Sequence, residues 1–81
     1  MKVIHSDHFR KSFGDFSTDV HRKLEKQVAY LLRDIRHPSL RAKKYDESNG
    51  IWQARVDKNI RFYFTIESNA YVLLDIRYHP K

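Results

Sequence analysis

Residues 51–66, IWQARVDKNIRFYFTI, decide the fold. Two runs rich in β-branched and aromatic residues, 51–56 and 60–66, flank the short polar link DKN. Runs of that composition joined by so few residues read as an antiparallel hairpin. Successive side chains point to opposite faces of a sheet. Trp52, Ala54 and Val56 therefore share one face, with Gln53 and Arg55 on the other. In the second run Ile60, Phe62, Phe64 and Ile66 point toward a core, leaving Arg61, Tyr63 and Thr65 opposite. The apolar set explains the strands; it does not explain two arginines on their far side.

The same alternation extends C-terminally. A third run, 71–78, follows the link ESNA and places Val72, Leu74, Ile76 and Tyr78 on the core side. Tyr71, Leu73, Asp75, Arg77 and His79 then point the other way. N-terminal to the hairpin, PSLRAKKYDESNG (38–50) reads as a polar connection anchored to the core by Leu40 and Tyr45. Before it, Val20, Leu24, Val28, Leu31, Leu32 and Ile35 recur with helical period, Lys and Arg lying between them. Pro38 ends that helix at about His37, because the residue before a proline avoids the α region. An earlier helix carries the stripe Phe9, Phe13 and Phe16, is capped by Ser6 or Asp7, and ends at Gly14; Ser17 or Asp19 caps its successor. Residues 2–5, KVIH, form an opening strand. The expected fold is α+β in the order β-α-α-β-β-β, an α-hairpin packed on one face of an antiparallel sheet. Helices cover only one face, so Arg55, Arg61, Arg77 and His79 should gather on the other with Gln53 and Tyr63.

The bulk properties narrow the function. A chain of 81 residues suits a single domain, 1–81, that buries only about 60% of its unfolded surface. The absence of cysteine excludes a disulfide scaffold and a thiolate metal site. His5 and His8 have no third metal ligand at a convincing spacing, and no metal or other cofactor is expected. Without an apolar leader or a bilayer-length apolar run, the expectation is a cytoplasmic protein with no membrane partner. Sixteen Lys+Arg against ten Asp+Glu give a formal charge of +6, which implies a polyanionic partner. The basic residues are also uneven: Arg33, Arg36, Arg41, Lys43 and Lys44 cluster with Asp34 as the only acid among them.

The order of elements, GIWQARVDKNIRFYFTI (50–66) and RYHP (77–80) together resemble the RelE/ParE superfamily of toxins from type II toxin–antitoxin systems, most nearly its YoeB-like branch. Gly50-Ile51-Trp52, the arginines Arg55 and Arg61 six residues apart, and Arg77-Tyr78-His79 carry the resemblance. Ile51 stands where that pattern has an aromatic, and two further positions depart from it. Ala42 stands where the branch has a catalytic glutamate, with Asp46 and Glu47 near but out of position, and Pro80 replaces a terminal tyrosine.

The resemblance implies a ribosome-dependent endoribonuclease that cleaves mRNA with the substrate's own 2′-hydroxyl and no metal, and so inhibits translation. Such chemistry needs a base, an acid for the leaving 5′-oxygen, and cations for the charge building on phosphorus. Arg61 is the first candidate for the cation, Arg55 the second, since a guanidinium fork binds two phosphate oxygens and stays charged. The structural alternative for Arg61 is a solvated strand arginine, or one paired with Asp75. His79, an imidazole able to give or take a proton, suits the acid or base; its alternative is a frayed terminal histidine. Lys43, Lys44, Arg77, Gln53 and Tyr63 are the expected RNA-binding residues, the lysines on backbone phosphates and the tyrosine, like Tyr45, on a base. Arg77 could instead pair with Asp75 or Glu67. The implied partners are mRNA, the ribosome and a cognate acidic antitoxin. Two other functions fit the same fold: a ParE-like toxin acting on DNA gyrase, and a catalytically weak member that only binds RNA or antitoxin.

Overall fold

A computed structural model describes residues 1–79. The chain runs β1 (Lys2–His5), α1 (Asp7–Gly14), α2 (Thr18–Arg33), β2 (Lys43–Asp46), β3 (Ile51–Arg55), β4 (Ile60–Glu67) and β5 (Ala70–Tyr78). The sheet order is β1-β5-β4-β3-β2. This is the expected α+β arrangement, two helices on one face of a sheet, with two differences in the sheet itself. β1 pairs parallel with β5, from Lys2 opposite Ala70 to His5 opposite Leu73, so the sheet is mixed rather than wholly antiparallel. The helical hairpin between β1 and the later strands supplies the long connection that a parallel pair requires. The segment read as a plain connection also contains a strand, β2, which extends the sheet beyond β3.

Both helices start where a serine can cap them. Ser6 Oγ accepts from the Phe9 N–H at 3.1 Å, and Ser17 Oγ accepts from the Val20 N–H at 3.3 Å. Helix α2 ends at Arg33, four residues short of the expected boundary. Asp34 is already extended, and its carboxylate accepts from the Arg36 N–H at 2.8 Å. That local bond competes with the helix, and turns through His37 then deliver Leu40 to the core.

The core lies between the helices and one sheet face. Phe9, Leu24, Leu31, Leu40, Phe62, Phe64, Leu73 and Ile76 are its largest fully buried side chains. Leu40 is thus the anchor expected of the connection; Tyr45 is not, being half exposed on the opposite face of the sheet. Ile66, expected on the core side, is exposed.

The alternation expected for β5 fails at its first half. Phe64 pairs with Leu73 while Tyr63 pairs with Asp75, so Leu74 is an extra residue, a β-bulge. One added residue exchanges the faces of everything before it. Leu73 and Tyr71 are therefore the buried pair, and Val72 moves to the uncovered face, the reverse of strict alternation. Asp75, Arg77 and His79 follow the bulge and keep their expected side. Ser6, the cap of α1, donates its N–H to Leu73 O at 3.0 Å, tying the helix start to the bulge.

Candidate functional site

The strand registers set the uncovered face in rows. Arg55 lies opposite Arg61, and Arg61 opposite Arg77, so three arginines cross three strands in line. The neighbouring row runs Lys43, Gln53, Tyr63 and Asp75. Like charges placed directly opposite one another destabilise a sheet, so each guanidinium needs an account.

Arg77 is neutralised within the fold. Its Nε lies 3.1 Å from the Asp75 carboxylate, and its guanidinium stacks 4.3 Å above the Tyr63 ring. Asp75 also accepts from the Ile76 N–H at 2.8 Å and lies 3.3 Å from His8 Nε2 on α1. The acid that could have paired with Arg61 is therefore taken.

Arg61 is fixed without being neutralised. Its Nη1 donates to the carbonyls of Asp57 at 2.7 Å and Ile60 at 3.2 Å. Arg55 Nε is buried and has no hydrogen-bond partner among the described residues. The third free cation is Arg41, brought alongside because the Arg55 N–H donates to Leu40 O at 2.8 Å. Among the described residues, none of these three arginines forms an ion pair. Burial pushes the Arg61 pKa down, and the charges of Arg55 and Arg41 act the same way, outweighing Tyr63 and Asp57. Three guanidinium groups thus lie together despite their mutual repulsion, one with a bare N–H, an arrangement chemically suited to an anion with several oxygens.

The cluster opens into a cleft of about 300 Å³ lined by Arg41, Lys43, Gln53, Arg55, Arg61 and His79. A smaller recess of about 160 Å³ adjoins it, lined by Tyr45, Gln53, Tyr63, Arg77, Tyr78 and His79. Gln53 and His79 border both. The His79 N–H donates to Asn59 O at 2.7 Å, which extends the sheet pairing to the loop after β3 and holds this residue at the cleft.

No carboxylate lines either space among the described residues. Ala42 packs against the core. Asp46 is occupied by its own turn, where hydrogen bonds from Asn49 and then Ser48 hold its carboxyl below the usual range. Glu47 is exposed in the same turn. Pro80, the other departure from the YoeB-like pattern, lies outside the described residues.

Of the expected residues, the fold brings Arg55, Arg61, His79, Lys43, Gln53, Tyr63 and Arg77 together. Lys44 stands apart: its ammonium sits 5.0 Å over the Trp52 ring, and Trp52 stacks on Phe64 of the core side. Neighbouring residues of a strand face opposite ways, so Lys43 and Lys44 cannot both reach the cleft.

Arg41 and Gln27 were not singled out by sequence reasoning. The basic run 33–44 contains Arg41 but does not distinguish it from its neighbours. Its left-handed backbone, φ +47°, is visible only in the fold. Gln27, buried on α2, donates to Ser39 O at 2.9 Å and Arg55 O at 2.8 Å, and accepts from Ser39 Oγ at 2.8 Å. It fixes the approach of the 39–41 segment to the end of β3. A lone glutamine in an amphipathic helix gives no sign of this.

No protein-family model and no curated protein sequence matches the chain. Solved structures do. The YoeB/ParE toxin from Agrobacterium tumefaciens superposes with a TM-score of 0.78 at 12% identity, over 99% of this chain and 100% of that one. YafQ from E. coli strain BL21(DE3) gives 0.71 at 14% identity, covering 91% and 88% of the two chains. A copper-bound mutant toxin from Helicobacter pylori gives 0.69 at 15% identity, covering 98% and 94%. At such identities the shared property is the backbone architecture, which extends over nearly all of each chain. The protein has the RelE/ParE-like toxin fold.

Proposed function

We propose that this protein is the toxin of a type II toxin–antitoxin system, a ribosome-dependent endoribonuclease that cleaves mRNA and thereby inhibits translation. The observation that carries the reading is the cross-strand pair Arg55–Arg61, completed by Arg41, none of which forms an ion pair among the described residues. A phosphodiester in this cleft meets guanidinium groups where charge develops on its non-bridging oxygens during attack. The 2′-oxygen bonds to phosphorus as the bond to the 5′-oxygen breaks, giving a 2′,3′-cyclic phosphate and a 5′-hydroxyl. Neutral His79 accepts the 2′-hydroxyl proton, and the leaving oxygen takes a proton from solvent. Lys43 extends the cationic surface along the RNA backbone. The neutralising partner is an acidic antitoxin segment whose carboxylates fill the same cleft.

A second reading, a ParE-like inhibitor of DNA gyrase, is favoured by the absence of any carboxylate lining the cleft among the described residues. Expression without the antitoxin separates the two. Growth arrest accompanied by new 5′ ends within translated mRNA, mapped by primer extension, supports the ribonuclease. Arrest with intact message and DNA breaks supports the gyrase reading.

A further inference from the structure

A second cavity, of about 390 Å³, adjoins the arginine cleft and shares Arg41 and Arg55 with it. Its walls are the 38–41 segment and residues 55–58 at the β3–β4 link. These walls are tied together. Gln27 donates to Ser39 O at 2.9 Å and to Arg55 O at 2.8 Å, and the Arg55 N–H donates to Leu40 O at 2.8 Å. The polar groups of the lining divide into two sets. Gln27 and Ser39 satisfy each other, and the Asp57 carboxylate accepts from the Asn59 N–H at 2.8 Å, the Ile60 N–H at 3.0 Å and Lys23 Nζ at 3.3 Å. Arg41, Arg55 and Lys58 make up the other set. None of them forms an ion pair among the described residues, and Arg55 Nε has no hydrogen-bond partner there. The one acid of the lining is thus countered by Lys23, while the three cations are not countered. Such a space suits an anion.

We propose that this cavity is a second phosphate site, which holds the phosphate next to the one in the cleft on the same RNA strand, with Lys58 as its own cation. This rests on the RNA reading of the cleft and extends its ligand from one phosphate to two. The sharing of Arg41 and Arg55 carries the inference. A guanidinium presents several N–H donors in a planar fork, so the same arginine can serve an oxygen on either side. Consecutive phosphates of one strand reach the two spaces together, and once the first is held the second binds as an intramolecular event. Lys58 lies exposed in the β3–β4 link, where a compact ammonium positions a phosphate without reading a base. A nucleic-acid strand is favoured over an acidic peptide because it carries a charge on every residue, which suits two adjoining cationic spaces.

The test compares three ligands on the full chain by calorimetry: inorganic phosphate, thymidine 5′-monophosphate, and the 5′-phosphorylated thymidine dinucleotide, whose deoxyribose prevents cleavage. The dinucleotide, with two phosphates, should bind about tenfold tighter than the mononucleotide, the scale of one added charge-assisted hydrogen bond. Lys58→Ala, at an exposed link position, should abolish that gain and leave phosphate and mononucleotide binding unchanged. Across a salt series, the slope of log affinity for the dinucleotide against log salt should become shallower by about 0.7 in this variant, the loss of one phosphate contact on a single strand. No gain from the second phosphate, or a gain and slope that survive Lys58→Ala, overturns the second site while leaving the cleft reading intact. So does a glutamate-rich peptide whose binding alone falls in Lys58→Ala, which would make the cavity a carboxylate site. If phosphate itself fails to bind the wild-type chain, the cleft reading fails as well.

Discussion

Arg55 and Arg61 face each other across β3 and β4, and neither forms an ion pair among the described residues. A like-charge pair at directly opposed positions costs folding free energy, and here a third guanidinium, from Arg41, joins it. The nearby acids are used elsewhere: Asp75 by Arg77 and His8, Asp57 by Lys23 and its own turn. An anion entering the cluster would relieve this repulsion, which would link binding to stability.

Sulfate or phosphate should therefore raise the melting temperature of the wild-type protein. At a ligand concentration about 100 times Kd the gain is about 2.7 kcal/mol. Arg61→Ala should remove most of this gain and lower RNA cleavage by roughly 10²–10³, the scale for loss of one preorganised group at a developing charge. Its intrinsic stability should change by less than about 1 kcal/mol, since the side chain leaves the core untouched. Full activity in a folded Arg61→Ala protein would place the chemistry elsewhere.

Arg41 occupies a left-handed backbone conformation that costs a residue with a side chain roughly 1 kcal/mol. Arg41→Gly should leave thermal stability equal or slightly higher, because the relieved strain offsets the added chain entropy of glycine. Cleavage should fall at the same time, by about tenfold or more for a lost phosphate-facing cation. A variant both less stable and fully active would show that Arg41 serves the fold rather than the cleft.

Asp57 gives an acid-side stability term. Burial pushes its carboxyl up, but the Asn59 N–H, the Lys23 ammonium and the Ile60 N–H together hold it below the usual range. A folded-state pKa below the unfolded one stabilises the protein above the unfolded value, and that contribution fades as pH falls through the folded pKa. Asp57→Asn should be less stable than wild type near neutrality, by about 1 kcal/mol for weakened turn hydrogen bonds and a lost charge partner. The two proteins should converge in denaturant titrations as pH falls below the ordinary carboxylate range, through the lowered folded-state pKa. An equal gap at acid and neutral pH would mean that the carboxylate charge contributes nothing.

Association with an acidic antitoxin should be steered by the cationic face, so its on-rate should fall steeply with ionic strength. Apolar contacts should govern dissociation, leaving the off-rate less sensitive to salt. Stopped-flow measurements across a salt series test both halves. A salt-independent on-rate would show that the antitoxin recognises some other surface.

The sequence by itself determined the elements and the side of the sheet on which the cations lie. Period two in 51–66 and helical period in 20–35 are local properties, written by which side chains must leave water. They sufficed to place Arg55, Arg61, Gln53, Tyr63 and Arg77 on one face. The tertiary structure decided what local pattern cannot encode. The bulge at Leu74 exchanges the faces of Tyr71 and Val72 because β5 must pair at once with β4 and β1 and accept the start of α1. The site of Arg41 depends on Leu40 entering the core and on the hydrogen bonds that Gln27 makes to Ser39 and Arg55. Lys44 is removed from the cleft by its position on the Trp52 side of β2. Each of these follows from contacts between residues far apart in the chain, where packing and register, rather than any residue's own preference, fix the direction in which a charge points.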